Sequence, residues 1–421
     1  MENYFTLLRN IAFFFATLML AKYFVFLLLA PMYPVKEKLR QLKIKLKFGA
    51  NYHYQPKISV VIPAWNEEVG IIKTIHSVLK NSYPNKEIIV VNDGSTDNTD
   101  QVVKDYLALL EQKAPQLAQQ VRYFAKPNGG KGTALNYGIQ RARGEIILTV
   151  DADSVLAGDA LANLVKYYAD PQIHAVVGNV KVVDNDTVIG FIQKLEYLFG
   201  FYFKRAHAVM GAEYIFGGAC ASFRRSVFDT VGLYDTSNKT EDIEITLRVR
   251  AYGYKCTYAE DVVCYTEGAS ELMGLINQRL RWKKGRFDAF AKHRRLFFSK
   301  LPHHNKFLTW FILPYSLLGE FQLMFEPIAL ALLVTYSILS GDYLTLTLGL
   351  LFVSLMYLVQ AVFVHKLIRP QWLVLFVVSW PLFYLLVVIE YFALIHSLRM
   401  ILAGDDITWQ NWQRKGVKLA V

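Results

Sequence analysis

Cysteine is scarce in this chain of 421 residues, and the three that occur are Cys220, Cys256 and Cys264. None of them stands in a C-x-x-C pair or beside histidines at zinc-ligand spacing, which argues against a zinc site. In a reducing compartment, cysteines at these positions also argue against a disulfide. We therefore expect neither sulfur ligation nor disulfide bonding to organise this protein.

The sequence also lacks the two common nucleotide-binding fingerprints. No G-x-G-x-x-G follows the first predicted strand, which weakens a dehydrogenase interpretation. Lys131 is followed by Gly132 and not by Ser or Thr, so the Walker pattern is not met either. The segment KPNGGKGTALNYG (126–138) still offers exposed backbone N–H groups and two lysines, Lys126 and Lys131, that can face a diphosphate. The alternative is a flexible surface turn.

Acidic residues are outnumbered, with 35 Asp and Glu against 46 Lys and Arg, giving a formal net charge of +11. Such a charge suits nucleic acid, anionic lipid or a polyanionic substrate. The basic residues cluster at the flanks of apolar segments, where membrane topology already accounts for them. Nucleic-acid binding is therefore not predicted.

Apolar residues are concentrated at the two ends of the chain. Residues 1–32 hold few charges and no small-residue cleavage site, which predicts a retained N-terminal transmembrane helix. A basic linker at 33–49 follows, and the positive-inside rule assigns it to the cytoplasm. Residues 306–402 predict an interfacial segment around WFILPYSLLGE and about three transmembrane helices, near 322–340, 343–365 and 371–400.

The basic tail at 403–421 conflicts with this count. One N-terminal and three C-terminal spans would place the tail outside, whereas its Arg and Lys argue for inside. Either the segment 307–340 holds an extra pass, or the charge rule fails here. Both alternatives stay open from the sequence.

The middle of the chain, residues 50–305, has an ordinary soluble composition and predicts a cytoplasmic domain. Three near-continuous apolar runs, at 57–64, 86–93 and 145–153, alternate with helix-like segments, which is typical of a doubly wound, mostly parallel α/β sheet. Ligands bind beyond the carboxyl ends of such strands. Each run ends there on a polar cluster: PAWNE, NDGSTDNT and DADS.

Asp151 and Asp153 follow the third run and form a D-x-D pair. A diphosphate carries more negative charge than one lysine offsets, and it commonly recruits a hard divalent cation held by carboxylates. We expect one of the two carboxylates to face a nucleotide sugar and the other to face a metal. Common turn chemistry of Asp is the alternative explanation.

Taken together with TED (240–242) and QRLRW (278–282), these motifs resemble the processive members of glycosyltransferase family 2. That family includes synthases of cellulose, chitin, hyaluronan and poly-N-acetylglucosamine, and TEDIEI looks closest to the last of these. The resemblance implies a GT-A-type α/β domain between N-terminal and C-terminal transmembrane helices. It also implies dependence on Mg²⁺ or Mn²⁺.

The resemblance implies roles for the donor side of the site. Asp93 would hold the uracil or ribose of a UDP-sugar, with Pro63 and Glu67 shaping the same pocket. Asp151 would lie near the donor sugar and diphosphate and share the metal with Asp153. Lys131 of the Gly-rich segment is a further candidate for contact with the diphosphate.

On the acceptor side, the resemblance implies that Asp242, beside Glu241 in TED, is the general base. A position at a helix N-terminus would keep Asp242 ionised, near its reference pKa of about 4. Gly217 and Gly218 would let backbone approach a sugar closely. The Q-x-x-R-W residues, Gln278, Arg281 and Trp282, would bind substrate, with the arginine on the diphosphate and the tryptophan on the acceptor sugar.

The predicted function is that of a membrane-embedded, inverting glycosyltransferase that polymerises a β-linked polysaccharide. Its expected partners are a UDP-sugar, the growing polymer, the lipid bilayer of the cytoplasmic membrane and a small membrane or export subunit. One alternative is a single transfer onto a lipid acceptor. Another is a transporter, whose pathway would be lined by ionisable residues within the apolar segments: Glu320, Glu326, His365 and Glu390.

Overall fold

The computed structural model describes residues 2–49, 52–183, 187–365, 371–404 and 416. These residues form eight strands in one sheet. The strands are β1 (Ile58–Ala64), β2 (Lys86–Asp93), β3 (Val121–Lys126), β4 (Ile146–Thr149), β5 (Ser154–Leu156), β6 (Ile173–Val183), β7 (Ala221–Arg224) and β8 (Lys255–Glu267). Their order across the sheet is β3-β2-β1-β4-β7-β6-β8-β5.

Fourteen α-helices occur in the same described ranges. They are α1 (Glu2–Leu29), α2 (Tyr33–Phe48), α3 (Ile71–Leu79), α4 (Thr99–Lys113), α5 (Pro115–Ala118), α6 (Lys131–Arg141), α7 (Ala160–Tyr168), α8 (Val188–Met210), α9 (Arg225–Val231), α10 (Glu241–Ala251), α11 (Leu272–Lys292), α12 (Leu313–Ser340), α13 (Tyr343–His365) and α14 (Gln371–Ala403). A 3₁₀ turn joins α1 to α2, another precedes β7, and a π-helical turn, Leu308–Ile312, leads into α12.

The sheet is mixed, and it is mostly parallel as predicted, because six of its eight strands run in the same direction. The half that carries the quoted motifs, β3-β2-β1-β4, is parallel as predicted. Two strands run the other way: β7 is antiparallel to both β4 and β6, and β5 is antiparallel to β8. β6 and β8 are parallel to each other, so the prediction missed only these two antiparallel strands.

The core of the middle domain lies on both faces of this sheet. Every residue of β1 is buried, and its alternating side chains enter two different hydrophobic clusters. Val60 and Ile62 pack with residues of α3 and α7, whereas Val61 packs with residues of α6. Gly138 lets α6 approach closely, because a Cβ there would lie 2.5 Å from Cγ1 of Val61. The helices therefore fix the positions of the loops at the carboxyl ends of the strands.

The third predicted strand is shorter than expected. It ends as β4 at Thr149, and the chain then turns, with the N–H of Ser154 donating to the carbonyl of Asp151 at 3.0 Å. Asp151 and Asp153 consequently lie on a turn between β4 and β5, and not in a strand that continues through both residues. The turn-forming chemistry of Asp explains the break.

Two helices within the described ranges are long and apolar enough to cross a membrane, Leu308–Ser340 and Trp380–Ala403. The first is continuous, so the predicted interfacial segment and the first predicted C-terminal span form one helix. α13 and α14 occupy the positions of the other two predicted spans, and residues 366–370 between them lie outside the described part. α1 occupies the predicted N-terminal span and packs against α8 and α12; its crossing of a membrane stays a prediction.

Most of the predicted tail, 403–421, also lies outside the described residues. Gly416 is described, and it lies against the middle domain. Its N–H donates to Oε2 of Glu267 at 3.0 Å, and a Cβ on it would lie 3.2 Å from Cγ1 of Val69. The chain after α14 therefore returns to the domain that carries the motifs.

Candidate active site

The loops that follow β1 and β2 bind each other. The N–H of Thr96 donates to Oδ1 of Asn66 at 2.8 Å, and the N–H of Glu67 donates to Oγ1 of Thr99 at 2.8 Å. Asn66 adopts a φ of 55°, in the left-handed region that Asn tolerates better than most residues. Pro63, in register with Val91 on β2, and Glu67 are both buried beside this junction. The predicted uridine pocket thus has two joined loops as its wall.

The Gly-rich segment binds a carboxylate of the protein itself. Oδ1 and Oδ2 of Asp93, at the end of β2, accept from the N–H groups of Gly129 (3.1 Å) and Gly130 (2.7 Å), and the ammonium of Lys126 also contacts Asp93. Asp93 is therefore the partner of these N–H groups and of Lys126 in the structure, and their contact with a diphosphate stays a prediction. The buried charge of Asp93 attracts them because β2 and β3 are adjacent and bring Lys126 into register with it.

Lys131, the first residue of α6, is the second lysine of that segment and has different carboxylate partners. Its Nζ lies 2.6 Å from Oδ1 of Asp151 and 3.6 Å from Oε1 of Glu241. Burial alone would lower the pKa of Lys131, but Asp151, Glu241 and Asp242 together raise it above its ordinary value. Lys131 is therefore held in its charged form between the D-x-D turn and the TED motif.

The D-x-D turn is held by α3 and its N-terminus. Oγ1 of Thr74 donates to the carbonyl of Ala152 at 2.7 Å, and Gly70 packs so closely that a Cβ on it would lie 3.1 Å from the same oxygen. Oδ1 of Asp153 accepts from Oγ of Ser154 at 3.0 Å. Thr74 and Gly70 are therefore positioning residues, and they were not among the predicted site residues. The sequence indicated only that they follow PAWNE in a helix-like segment.

Asp242 lies in the first turn of α10, as its sequence position predicted. Its Oδ2 accepts from the N–H of Gly218 at 3.1 Å, and its Oδ1 accepts from the N–H of Ile243 at 2.8 Å. Burial raises the pKa values of Asp242 and Glu241, and the charges of Lys131 and Arg281 only oppose this. The expectation of a reference pKa is therefore wrong, because desolvation outweighs the helix N-terminus.

Gly217 and Gly218 differ in what surrounds them. A Cβ at Gly217 would meet no atom within 4 Å, whereas a Cβ at Gly218 would lie 2.6 Å from Nζ of Lys131 and 3.5 Å from Oδ1 of Asp151. The absence of a side chain at Gly218 therefore lets its backbone N–H reach Asp242 while Lys131 stays paired with Asp151. Gly217 leaves open space beside the acid cluster.

The Q-x-x-R-W motif lies on α11, which packs against the TED motif through Gly285. A Cβ at Gly285 would lie 2.4 Å from Oγ1 of Thr240. Gln278 is buried, and its Oε1 accepts no hydrogen bond from the residues that the structure describes. Trp282 is half-buried, with the guanidinium carbon of Arg279 at 4.2 Å from its ring centroid.

A second face of α11 binds the apolar helices. Lys283 lies 2.8 Å from Glu320 of α12 and 2.7 Å from Glu390 of α14, and Arg279 lies 3.0 Å from Glu390. Arg286 pairs with Glu320 at 2.6 Å, and Arg279 also contacts Glu196 of α8. We call these six residues the α11 ion-pair network. Its basic members, Arg279, Lys283 and Arg286, are spaced four and three residues apart and therefore lie on one face of α11. This spacing is visible in the sequence, but the network was not predicted from it.

No group of three or more His, Cys, Asp and Glu side chains forms a metal site within the described ranges. The chemistry of the D-x-D turn nevertheless fits a hard divalent cation, because the turn carries two carboxylates two residues apart, and one of them shares Lys131 with Glu241. Ions such as Mg²⁺ are commonly held by one or two carboxylates, with substrate phosphates completing the shell. Asp151 and Asp153 are the residues that would hold it.

The geometry agrees with comparisons to known proteins. Residues 59–232 match the family Glycosyl transferase family 2, and residues 146–403 match Glycosyl transferase family group 2. A poly-beta-1,6-N-acetyl-D-glucosamine synthase of Staphylococcus epidermidis is 30% identical over 302 residues, which cover 70% of each chain. The chain belongs to glycosyltransferase family 2.

A second relative of this glycosyltransferase is the synthase of the same name from Staphylococcus aureus (strain COL), 31% identical over 247 residues, or 58% of this chain and 57% of the relative. Among solved structures, a mannosyltransferase from Pyrobaculum calidifontis in complex with GDP-Man and Mn²⁺ superposes with a TM-score of 0.59 and 22% identity, over 91% of this chain and 99% of its own. That likeness supports the GT-A-like fold of the glycosyltransferase domain.

Proposed function

We propose that this enzyme is a membrane-embedded, metal-dependent, inverting glycosyltransferase that elongates poly-N-acetylglucosamine from UDP-GlcNAc. The observation that carries the proposal is the surroundings of Asp242. One of its oxygens accepts from the N–H of Gly218 at 3.1 Å, and Lys131 lies between its neighbour Glu241 and Asp151. A base and an anion-binding cation thus lie in one cluster.

In the proposed reaction, a hydroxyl oxygen of the acceptor sugar attacks C1 of the donor sugar from the face opposite the diphosphate. The C1–O bond to the diphosphate breaks, UDP leaves with the bonding electrons, and the configuration at C1 inverts. Asp242 accepts the proton of the attacking hydroxyl. Its raised pKa suits this task, because a carboxylate that binds a proton more tightly is a stronger general base.

The departing diphosphate needs positive charge around it. A divalent cation held by Asp151 and Asp153 would supply most of it when bound. Lys131 and Arg281 supply the remainder from the protein, and the influence of Arg281 on the pKa values of Glu241 and Asp242 supports its nearness to the cluster. When a diphosphate enters, Lys131 can exchange its carboxylate partner for a phosphate oxygen.

The donor is assigned to UDP-GlcNAc through the staphylococcal relatives, whose names specify poly-N-acetylglucosamine synthesis. The uridine would bind against the joined loops after β1 and β2, near Pro63, Glu67 and Asp93. The complex of the P. calidifontis enzyme with GDP-Man and Mn²⁺ supports nucleotide-sugar and cation binding by this fold.

The acceptor would bind along α11. The buried Oε1 of Gln278 can accept from a sugar hydroxyl, and the ring of Trp282 offers an apolar face of the kind that sugars stack on. Gly217 leaves room for the acceptor beside Asp242. The growing polymer would then pass through the apolar helices of the cytoplasmic membrane, with the glycosyltransferase domain on the cytoplasmic side and a small export subunit as a further partner.

Purified protein in membranes, incubated with a panel of UDP-sugars and Mg²⁺ or Mn²⁺, tests this proposal. UDP release and product length are both read. Release with UDP-GlcNAc and polymer formation are expected. If singly glycosylated lipid is the sole product, the enzyme makes a single transfer and is not a polymerase. If UDP is released from another UDP-sugar alone, the proposed donor is wrong.

A further inference from the structure

The helix α2 has two faces with different surroundings. One face packs on the glycosyltransferase domain: the hydroxyl of Tyr33 donates to the carbonyl of Tyr258 at 3.0 Å, and Arg40 donates to the carbonyl of Lys166 at 3.0 Å and lies over the ring of Tyr167. These contacts fix the rotation of α2 about its own axis. The opposite face is consequently held in one orientation relative to the domain.

That opposite face is apolar and exposed. Its members recur at spacings of four, three and four, so they form one stripe along a 16-residue helix. They are Val35, Leu39, Leu42 and Leu46, with relative exposures of 50%, 54%, 51% and 78%. Single exposed apolar residues are ordinary, but a continuous stripe marks an interaction surface.

Lysines border the stripe on both sides. At 100° per residue, Lys38 and Lys45 lie along one edge, and Lys43 and Lys47 lie along the other. All four are exposed, and none has a carboxylate partner in the described part of the chain. The acidic residue of the helix, Glu37, is buried on the packed face, where it binds Arg40. The exposed surface therefore combines apolar side chains with positive charge alone.

We propose that α2 lies flat on the membrane leaflet that faces the glycosyltransferase domain and binds anionic phospholipid headgroups. The leucine stripe would enter the boundary between headgroups and acyl chains, and the four lysines would lie at the level of the phosphates. Continuity supports this occupant, because the 3₁₀ turn Ala30–Met32 joins α2 directly to the apolar helix α1. The proposal rests on the membrane embedding proposed above.

Tyr33 and Arg40 give this surface a consequence for the enzyme. Because they bind α7 and β8, the domain takes its orientation to the bilayer from α2. An anionic leaflet would thus hold the site at one height above the membrane. Each lysine near an anionic surface favours the bound state by about fivefold.

Site-directed fluorescence on the full-length protein tests the proposal. The three native cysteines are buried, so a thiol-reactive fluorophore attaches selectively to an introduced one. Leu42→Cys probes the stripe. Gln41→Cys is the matched control, because Gln41 is also exposed but precedes Leu42 and points about 100° away from it around the helix. Both are placed in nanodiscs of phosphatidylcholine with or without phosphatidylglycerol, containing lipid quenchers with headgroup-proximal nitroxides.

Quenching at position 42 is expected to exceed that at position 41 severalfold and to increase with phosphatidylglycerol. Replacing Lys38, Lys43, Lys45 and Lys47 with Gln should remove the increase. Equal quenching at the two positions, or no response to phosphatidylglycerol, overturns the proposal. Protection of position 42 that depends on protein concentration overturns it in favour of a second copy of the chain.

UDP release measured in the same nanodiscs separates this inference from the proposed function. If polymer forms but the fluorophore at position 42 is not quenched, lipid binding by α2 is refuted and the proposed function is retained. If the fluorophore at position 42 is quenched but the protein releases UDP from no donor, the proposed function is refuted and lipid binding by α2 is retained.

Discussion

The active-site cluster and the α11 ion-pair network lie on two faces of one helix, yet their charges are arranged differently. In the cluster, three carboxylates (Asp151, Glu241 and Asp242) share two cations, Lys131 and Arg281. In the network, three carboxylates meet three cations at contacts of up to 3.0 Å. By formal charge, the cluster is negative by one and the network is neutral.

The proposed function explains this difference, because it assigns ligand binding to the cluster and the packing of helices to the network. An excess of buried negative charge is costly unless something neutralises it, and a cation with a diphosphate would do so. A neutral network with short contacts has no such need. Changes in the cluster should therefore reduce the rate and spare the fold, whereas changes in the network should weaken the fold and spare the rate.

The largest expected effect is that of metal removal. Because the carboxylate excess would be offset by a divalent cation, EDTA should abolish UDP release, and added Mg²⁺ or Mn²⁺ should restore it. Asp153→Asn should behave as the chelated enzyme does while its thermal unfolding stays that of the wild type. Full activity of a metal-free sample would contradict the assignment of the D-x-D turn.

Asp242→Asn comes next. The amide keeps the size of the side chain but cannot accept the acceptor's proton, so the transfer rate should fall by about 10²-fold or more. UDP affinity, measured by calorimetry, should change little. Asp229→Asn, an exposed aspartate on α9, is the control. A collapse of UDP binding with a high residual rate would move Asp242 to the donor pocket.

Trp282→Ala should change the product more than the chemistry. Without the ring, the acceptor would dissociate between additions, so long polymer should disappear while transfer to short acceptors persists. Product length is compared by mass spectrometry at matched UDP release. Polymer of unchanged length would exclude Trp282 from acceptor binding.

Gly218→Ala should lower the rate by about tenfold, because small misplacements of charged groups are costly in a reacting site. The new methyl would lie 2.6 Å from Nζ of Lys131, which can move without disturbing the backbone but loses Asp151. Gly158→Ala, where a Cβ would meet nothing within 4 Å, is the matched control. A wild-type rate for Gly218→Ala would argue against a role for the Lys131–Asp151 pair.

The smallest effect on rate belongs to the network. Glu390→Gln removes the carboxylate shared by Arg279 and Lys283 and should reduce the free energy of unfolding by about 3 kcal/mol. UDP release per folded molecule should stay within about twofold of the wild-type rate, since the surroundings of Asp242 are unchanged. Chemical denaturation in detergent measures the first, and activity normalised to folded protein the second. Loss of rate at full stability would reverse the distinction between the two regions.

The sequence predicted the parts of the fold with strong local patterns. β1, β2 and β4 were evident from continuous apolar runs, whereas β3 was missed because it lies at the sheet edge and its side chains are only partly buried. The reversal at β7 was also missed, since strand direction depends on pairing between residues far apart in the chain.

In the site, motifs from separate segments do meet: Lys131, Asp151, Gly218, Glu241 and Asp242 form one cluster. The contact of the Gly-rich N–H groups with Asp93 was not predicted, because Asp93 lies 36 and 37 residues before them in the chain and β2–β3 pairing brings it near. Arg279 was overlooked because it occupies an unspecified position of Q-x-x-R-W, although it stacks on Trp282.

The contact of Gly416 with Glu267 and Val69 has a topological consequence. A chain that leaves a domain, enters a bilayer and comes back to touch the same domain must cross an even number of times. If the apolar helices are embedded as proposed, α12, α13 and α14 cannot each cross once. An even count leaves Gly416 on the same side of the membrane as α2, which is the side that the positive-inside rule assigns to the basic linker.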